Sequence, residues 1–172
     1  MTDAPHPFSK PFSVLRLPPG GEERRITASP AECAGIAALL GLPGVQAFSA
    51  RLLTQPGPGG VILLTGDVKA SYTQVCAVSL EEFPVEAEEQ AEMRFSLRQR
   101  AESEPDLDQP DPVIDGNIDL GAAAVETLAL SLDAYPRKPG AEFAFESAGP
   151  NIESPFAALA ALKKGGNGGR KG

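Results

Sequence analysis

The sequence predicts an α+β fold in which a curved antiparallel β-sheet, a meander or partial barrel, packs against two or three helices, with flexible termini. Three segments between Val45 and Arg98 alternate apolar and polar residues and are separated by short turns, which is typical of antiparallel strands with one wet face. Two capped apolar segments with helical spacing, beginning at Ser29 and Asp119, lie on either side of these strands. Strands grouped together and flanked by helices are typical of an α+β architecture.

The length and composition fit one globular domain with tails. The chain has 172 residues and is 42% hydrophobic, which is enough for a buried core. With 18 glycines and 17 prolines, many turns and some unstructured ends are expected. We expect a mobile N-terminus over 1–9, a single α+β domain over 10–150, a short C-terminal helix over 151–164 and a basic glycine-rich tail over 165–172.

The cysteines and the N-terminus indicate a cytoplasmic protein. Two cysteines, Cys33 and Cys76, are too few for a disulfide framework, which favours reduced thiols. Residues 1–12 have no apolar core like that of a signal peptide. No apolar run approaches the length of a transmembrane helix, so no membrane partner is expected.

Two short strands are predicted before the first helix. Residues 12–17 and 24–28 are both candidates, and the sequence PPGG at 18–21 is a turn signal between them. The two strands could pair as a hairpin, although the loop between them is long for one.

The sequence SPAE at 29–32 is the clearest local signal in the chain. A serine N-cap, a proline at the first helical position and a glutamate three residues on form a capping box. The helix is expected to run to about Leu40 and to end at Gly41. Cys33 lies on its apolar face, which favours a buried small hydrophobe over a reactive thiol.

Three longer strands are predicted over 45–54, 61–76 and 83–98. The last of these alternates most regularly, with acidic residues on its wet face. Gly66 is expected to mark a bulge or bend in the second strand. Because the turns between them are short, the three strands are expected to form an antiparallel meander that curves over the first helix.

The stretch 111–140 contains the second helix. It follows an acidic loop over 99–112 and is expected to begin with Asp119 as its N-cap. Apolar residues at i+4 spacing continue the helix to about Leu132, and Pro136 is expected to end it. The cations at 137–138 suit the negative end of a helix dipole.

The negative charge is concentrated in one segment. Residues 81–112 hold 11 acidic and three basic residues, an excess equal to the net charge of −8. Glu86, Glu88 and Glu92 lie on the wet face of the third long strand, and the acidic loop continues them. This face is complementary to a basic partner, of which ribosomal proteins are the commonest in a bacterial cytosol. Composition alone leaves a purely solubilising role equally open.

No catalytic, cofactor-binding or metal-binding residues are predicted. His6 is the only histidine and lies near the terminus, so histidine-based catalysis is disfavoured. Two separated cysteines and one histidine do not supply the ligands of a zinc site. The acidic turn over 111–119 lacks the ligand spacing of a calcium loop, and the glycines do not follow phosphate-binding spacings.

Direct binding of RNA would need a positive stripe. Arginines at positions 16, 24, 25 and 51 could form one in the folded chain, and the basic tail could contribute. The acidic strand would repel a phosphate backbone, so these arginines are more readily interpreted as solubilising charges. Direct RNA binding stays open as an alternative.

Two segments resemble the YceD family, a domain of unknown function, and in particular its alphaproteobacterial branch. The first is VCAVSLE at 75–81, followed by Phe83 and a strand. The second runs from DP at 111–112 through IDLG at 118–121 to YPRKP at 135–139. A final segment, PFAAL at 155–159, also fits. Order and spacing agree over about 61–163, whereas the N-terminal third matches only in layout.

The resemblance implies a role in the accumulation or maturation of large-subunit (23S) ribosomal RNA and implies no enzymatic activity. Many members carry the motif C-x-x-C-L in the first segment. Here the two positions are Cys76 and Ser79, which leaves a metal or redox role of the pair in doubt for this chain. We expect the strand end and turn at Cys76 to matter more than thiol chemistry.

We therefore expect a non-enzymatic ribosome-biogenesis factor that binds a basic ribosomal protein or a large-subunit assembly factor through its acidic face. The alternatives are a protein that binds precursor ribosomal RNA directly and, less favoured, an enzyme with an unmarked carboxylate site. The candidate partner-binding residues are Glu86, Glu88, Glu92, Asp111, Asp119, Glu126, Tyr135, Arg137, Lys138 and Phe156. Glu126 is also a candidate for a structural ion pair with a strand arginine.

Overall fold

The computed structural model of the protein describes residues 6–97 and 110–141, and the elements below lie within these ranges. The strands are β1 (Pro11–Ser13), β2 (Glu22–Thr27), β3 (Gly44–Pro56), β4 (Val61–Val75), β5 (Glu82–Ser96), β6 (Asp111–Pro112) and β7 (Asn117–Asp119). The helices are α1 (Pro30–Leu40) and α2 (Leu120–Ser131). A single 3₁₀ turn, Pro58–Gly60, joins β3 to β4.

A five-stranded sheet with the order β2-β3-β4-β5-β6 forms the body of the fold. Strands β2 to β5 are antiparallel neighbours, whereas β6 lies parallel to the end of β5. Strands β1 and β7 form a separate antiparallel pair. The predicted α+β class and antiparallel meander are confirmed, and the sheet is not closed into a barrel.

The core lies between one face of the sheet and the two helices. Helix α1 packs against β3, and α2 packs against β5 and β4. The alternating apolar residues of β3, which are Phe48, Ala50 and Leu52, are at most 5% exposed. On α2 the predicted apolar face is buried at Leu120 and Leu128. The alternating pattern of the strands therefore identified the buried side of the sheet correctly.

The predicted start of α1 is confirmed. Ser29 Oγ accepts a hydrogen bond from Glu32 N, and the Glu32 carboxylate accepts one from Ser29 N at 2.8 Å, so the capping box is complete. Lys10 Nζ lies 2.6 Å from the same carboxylate. The hydrogen bond from Lys10, followed by those from Ser29, lowers the pKa of Glu32 to about 2. The helix ends at Gly41, which has a left-handed φ of 65°.

The N-terminal segment differs from the sequence-based expectation. Phe8, which falls in the predicted mobile terminus, is fully buried, and its ring meets that of Phe48 edge-on at 5.4 Å. Strand β1 pairs with β7, Phe12 opposite Ile118, and β2 pairs along its length with β3, so the predicted hairpin is wrong. The apolar side chains of 8–14 reach the core beside α2, whereas pairing with β2 would leave them at the sheet edge.

Gly66 allows the backbones of β3 and β4 to approach closely. A Cβ atom at this position would lie 2.0 Å from the carbonyl oxygen of Arg51, and the residue has a φ of 153°. The registers with both neighbouring strands run through Gly66 without a shift, so the expected bulge is absent there. The register shift in this sheet lies between Val45 and Ala47.

Helix α2 ends within one residue of the predicted Leu132, but Pro136 does not end it. The helix ends at Ser131, and Leu132 is already extended. Pro136 therefore does not end the helix, and the cations at 137–138 do not lie in its last turn. The segment after α2 instead reaches the turn that follows β4. Three predicted features, which are most of the acidic loop, the C-terminal helix with Phe156 and the basic tail, lie outside the described residues.

Candidate functional site

Nine of the candidate residues lie in the described part of the chain. They fall into three groups, which are the outward face of β5 (Glu86, Glu88, Glu92), a groove beside α2 (Asp111, Asp119, Glu126) and the segment after α2 (Tyr135, Arg137, Lys138). The structure therefore separates the predicted set into three surfaces with different surroundings.

The outward face of β5, on the side of the sheet opposite the core, is acidic. Side chains alternate along a strand, and the odd-numbered residues of β5 point inward, as the burial of Phe83 and Ala91 shows. The charged side chains of the even-numbered residues lie on the outward face: Glu82, Glu86, Glu88, Glu92 and Arg94. We call the four glutamates the β5 acidic face.

Half of the β5 acidic face is engaged by neighbouring side chains of β4. Ser71 Oγ donates a hydrogen bond to Glu86 Oε1 at 2.6 Å, and Lys69 Nζ lies 2.9 Å from Glu88 Oε1. Glu92 is exposed and has no hydrogen bond or ion pair with another described residue. The face therefore keeps a net negative charge that the described part of the fold does not neutralise.

On the same outward face of the sheet, the part nearer β2 is basic, and most of its cations form ion pairs. Arg25, Arg51 and Lys69 line a shallow depression of about 520 Å³. Glu23 lies 2.9 Å from Arg51 and 3.6 Å from Arg25. The hydrogen bond from Arg51, with the charges of both arginines, lowers the pKa of Glu23 although its partial desolvation opposes this. Charge thus changes across the sheet from paired at β2 to acidic at β5.

The second group lines a groove of about 530 Å³ between the end of β5 and the start of α2. Phe95, Ile114 and Ala123 give the groove apolar walls, and the carboxylates of Asp111 and Glu126 lie at its rim. Glu126 is exposed, and within 6–97 and 110–141 it forms no ion pair, so the predicted pairing with a strand arginine is not seen there. The groove combines an apolar floor with negative charge.

The side chain of Asp119 is engaged in hydrogen bonds within the fold, although it also lines the groove. Its Oδ1 accepts hydrogen bonds from Lys10 N at 2.8 Å and from the first free helical amides, Gly121 N at 2.9 Å and Ala122 N at 3.0 Å. Its Oδ2 accepts from Ser9 Oγ at 2.6 Å. Burial works to raise the pKa of Asp119, but these hydrogen bonds outweigh it and lower the pKa. The predicted N-cap role is confirmed.

The glycine after Asp119 has a packing role. A Cβ atom on Gly121 would lie 2.0 Å from the carbonyl oxygen of Phe8. Next to it, Leu120 N donates to Lys10 O at 3.0 Å. Residues 119–121 therefore hold the N-terminal segment against the start of α2. This contact explains why the sequence DLG is needed here.

The turn between β4 and β5, residues 76–81, is built around the sulfur of Cys76. Cys76 Sγ accepts backbone N–H groups from Val78 and Ser79 at 3.4 Å and from Lys138 at 3.3 Å. Leu80 N donates to Cys76 O at 2.9 Å, and Leu80 has a positive φ of 59°. Cys76 is fully buried, so its side chain links a local turn to a segment far away in the sequence.

These contacts favour a charged sulfur. The hydroxyl and N–H of Ser79, followed by the N–H of Lys138, lower the pKa of Cys76 to about 6 although burial opposes the shift. Ser79 stands where the resemblance places a second cysteine in many family members. In this chain it donates to the sulfur, which supports a structural use of the position.

The third group is docked against this turn. Ala77 N donates to Pro136 O at 2.8 Å, and Lys138 Nζ lies 2.9 Å from Glu81 Oε2. The hydrogen bond and charge of Lys138 lower the pKa of Glu81. Tyr135, at 77% exposed, and Arg137 point to solvent. Lys138 is therefore a link within the fold, and the other two are available to a partner.

Sequence reasoning did not find the contact between Cys76 and the segment 136–138. Both belong to the stretches that carry the family resemblance, and their joint occurrence was the available signal. It also missed the packing of residues 8–10 against α2. Glycine is needed at 121 because the carbonyl oxygen of Phe8 lies against it, and no local sequence pattern reveals that contact.

The titratable groups do not assemble a recognisable reaction centre in the described part of the chain. Within 6–97 and 110–141, no group of three or more histidine, cysteine or acidic residues could hold a metal ion. Burial, followed by the charge of Glu32, raises the pKa of Cys33. The buried sulfur of Cys76 is surrounded by backbone donors.

Comparison with known proteins gives one match. A family model described as Large ribosomal RNA subunit accumulation protein YceD matches residues 64–163, a range that covers most of β4, all of β5 and α2, and all the candidate residues. No curated protein and no solved structure matches the chain. Among the described residues, no helix is long and apolar enough to cross a membrane.

Proposed function

The chain belongs to the YceD family of large ribosomal RNA subunit accumulation proteins, and on that premise we propose that it acts in the cytoplasm as a non-enzymatic binding factor. In this proposal the β5 acidic face docks a basic ribosomal protein or a basic assembly factor of the large subunit. The protein supports the accumulation and processing of the ribosomal RNA by holding that partner.

The observation that carries this proposal is the charge left over on β5. Four glutamates face one arginine on its outward side, and one cation, Lys69, neutralises part of that charge within the described fold. Acidic residues at β2, by contrast, are each within reach of an arginine. Exposed carboxylates that lack a cation in the fold are available to cations on another protein.

The geometry suits an elongated basic partner. Side chains two residues apart on a strand are separated by roughly 7 Å, so Glu86, Glu88 and Glu92 form a row along β5. Because these carboxylates are exposed, engaging them costs little desolvation. Complementary charge raises the association rate and fixes orientation more than it adds affinity. Binding should therefore weaken as salt concentration increases.

Two features support binding over catalysis. The thiol most shifted toward its charged form, that of Cys76, is fully buried beneath the turn 76–81 and is not open to a substrate. The groove beside α2 has carboxylates at its rim, where solvent reaches them, and its floor is apolar. Neither place offers an acid and a base held together in a dry pocket.

A second candidate function is direct binding of precursor ribosomal RNA. It is favoured by the depression that Arg25, Arg51 and Lys69 line on the same outward face of the sheet, toward β2. Phosphate groups bind where cations are gathered. Glu23 and Glu88 occupy these cations at present, so RNA would have to displace two carboxylates.

The test compares two double variants with the same change in charge. Glu86→Gln with Glu92→Gln removes two of the four negative charges of the β5 acidic face. Asp115→Asn with Asp133→Asn neutralises two exposed carboxylates elsewhere, and asparagine keeps the oxygen that accepts from Tyr135 N at 2.9 Å. Tagged full-length chains would be used to capture large-subunit assembly material from cells, with and without ribonuclease.

We expect wild type and the Asp115/Asp133 variant to recover the same basic large-subunit proteins after ribonuclease treatment, and the Glu86/Glu92 variant to lose them. Equal recovery by all three chains would contradict docking through β5. Loss of all recovery after ribonuclease, with purified chain binding ribosomal RNA, would favour the second candidate.

A further inference from the structure

The edge of the sheet at β5 is open. Strand β6 pairs with β5 at Phe95 and Ser96, and within the described residues the rest of β5, from Glu82 to Arg94, has a strand partner on the β4 side alone. An unpaired strand edge presents a row of main-chain donors and acceptors to whatever reaches it. This inference rests on the proposed function, because it concerns how a partner binds at β5.

The hydrogen bonds at the two ends of the ladder between β4 and β5 show which residues of β5 bond to β4. Leu97 N donates to Gly60 O at 3.2 Å at one end, and Cys76 N donates to Glu81 O at 2.9 Å at the other. The register between the two ends has no shift. Hydrogen-bonded pairs alternate with non-hydrogen-bonded pairs in an antiparallel ladder. The odd-numbered residues of β5 therefore bond to β4.

The even-numbered residues consequently direct their N–H and C=O groups to the open edge. Two details agree with this assignment. Ser96 O accepts a hydrogen bond from Val113 N at 2.9 Å, on the side away from β4. Pro84, which has no N–H to donate, occupies an even position, where the ladder with β4 loses nothing. The five even positions from 86 to 94 each have an N–H group that points to the open edge of the sheet.

The same even-numbered residues carry the acidic side chains. A strand laid along this edge would extend the outward face of β5, so alternate side chains of that strand would lie beside Glu86, Glu88 and Glu92. Lysine or arginine at those positions would meet carboxylates. Main-chain pairing and charge pairing would thus be satisfied by one extended segment.

The inward side of the edge is partly apolar. A recess of about 310 Å³ lies there, and its walls combine the apolar side chains of Met93 and Leu130 with polar ones, which are Glu89, Gln90, Glu92, Thr127 and Ser131. Leu130 is 80% exposed although it sits on the helix that packs against β5. Apolar side chains of an added strand would lie over this recess and cover Leu130. The partner segment that fits both sides alternates basic and apolar residues.

We propose that β5 binds an extended basic segment of a protein partner as an added strand over residues 86–94. The occupant is a stretch in which lysine or arginine alternates with apolar residues. A second copy of the chain fits poorly, because pairing of β5 with β5 would bring glutamates of both copies together. The acidic edge thus blocks self-association and admits a strand of opposite charge.

The direct test is amide hydrogen exchange of the full-length chain, resolved by residue. Alone, β5 should show alternation, with slow exchange at 85, 87, 89, 91 and 93 and fast exchange at 86, 88, 90, 92 and 94. The probe is a synthetic nine-residue peptide in which lysine alternates with valine. Its addition should protect the even-numbered amides and leave the odd-numbered ones unchanged.

Two matched controls separate strand addition from charge attraction. A fully N-methylated peptide of the same sequence keeps its charges, but its N-methyl groups would point at the β5 edge and hold the two strands apart, so it should not protect the even amides. Gln90→Pro removes one outward N–H and should weaken binding about tenfold. Gln90→Ala loses the same side-chain bond to Asp67 and should bind as wild type does. Protection of the odd amides shows whether Gln90→Pro keeps its sheet.

Three outcomes would overturn the inference: even amides that stay unprotected with the peptide, equal binding of the N-methylated peptide, or protection that appears in the free chain through its own basic tail or a second copy. These outcomes are distinguishable from failure of the proposed function. If cellular partners depend on Glu86 and Glu92 while the even amides stay open in the complex, docking by side chains stands and strand addition fails.

Discussion

The two edges of the sheet differ in length and in what happens to their charges. Strand β2 has 6 residues, and its glutamates are held by arginines, Glu22 by Arg24 and Glu23 by Arg51. Strand β5 has 15 residues, and among the described residues only Glu88 of its outward glutamates is paired with a cation. Strand β2 is one edge of the sheet, and within the described residues β5 is open at the other edge from Glu82 to Arg94.

This difference suggests which charges serve folding and which serve binding. A short edge with paired charges offers little to another strand. The long edge of β5 has Pro84 at one end and a row of glutamates along it. The glutamates disfavour pairing with a second copy of β5 and favour pairing with a basic segment. We therefore expect changes at β2 to affect stability, and changes at β5 to affect partner binding with little effect on stability.

The largest expected effect comes from disturbing the centre of the sheet, where β3 and β4 lie between the two edges. Gly66→Ala places a methyl group 2.0 Å from the Arg51 carbonyl oxygen at the centre of the sheet. Strain and overpacking should lower the free energy of unfolding by about 3 kcal/mol. Urea unfolding followed by circular dichroism measures this. Gly20→Ala is the control, because nothing lies within 4 Å of its added Cβ; equal stability of the two variants would contradict the close approach.

A smaller loss is expected at the turn that starts β5. Cys76→Ala leaves the N–H groups of Val78, Ser79 and Lys138 without their shared acceptor, so the thermal midpoint should fall by several degrees. The segment 136–138 should also become more accessible to protease. Cys76→Ser keeps an acceptor and should lie between Ala and wild type. An unchanged midpoint for Cys76→Ala would show that the sulfur does not hold the turn.

The same residue predicts a dependence on pH. The pKa of Cys76 is about 6 in the folded chain, against an ordinary value of 9.0. A lowered folded pKa gives stability that is fully present above pH 9 and is lost as the pH falls through 6. The difference in unfolding free energy between wild type and Cys76→Ala should therefore widen from pH 6 to pH 9. A constant difference over that range would contradict a charged sulfur.

The smallest effect sharpens the comparison between the edges. Glu22→Gln with Glu23→Gln breaks exposed ion pairs, which contribute little because solvent screens them, and should lower stability slightly without changing partner capture. Glu86→Gln with Glu92→Gln should do the reverse. Denaturant midpoints and capture yields, measured on both double variants, check this. If both variants lost stability equally and captured equally, the two edges would be equivalent.

Much of the fold was predictable because its signals are local. The capping box at Ser29, the alternation of β5 and the N-cap at Asp119 each depend on residues within a few positions of one another. Such patterns are set by backbone geometry and by which side of an element is buried. The same alternation identified Glu86, Glu88 and Glu92 as outward residues.

The parts that were missed depend on contacts between distant segments. Phe8 is buried because α2 and β3 leave room for it, which its polar neighbours in the sequence do not indicate. Cys76 gains its third donor from Lys138, 62 positions away. The role of Pro136 was also hidden, because it depends on the hydrogen bond that Pro136 O accepts from Ala77 N, far away in the sequence. Proline marked the wrong boundary for this reason.

The most direct measurement of the central claim is the level of mature large-subunit ribosomal RNA in cells whose only copy of the protein carries Glu86→Gln and Glu92→Gln. If the β5 acidic face holds the partner, that level should fall toward that of cells lacking the protein, while the Asp115→Asn and Asp133→Asn variant keeps it at the wild-type level. Equal, wild-type levels for both variants, with both chains folded and equally abundant, would contradict the account.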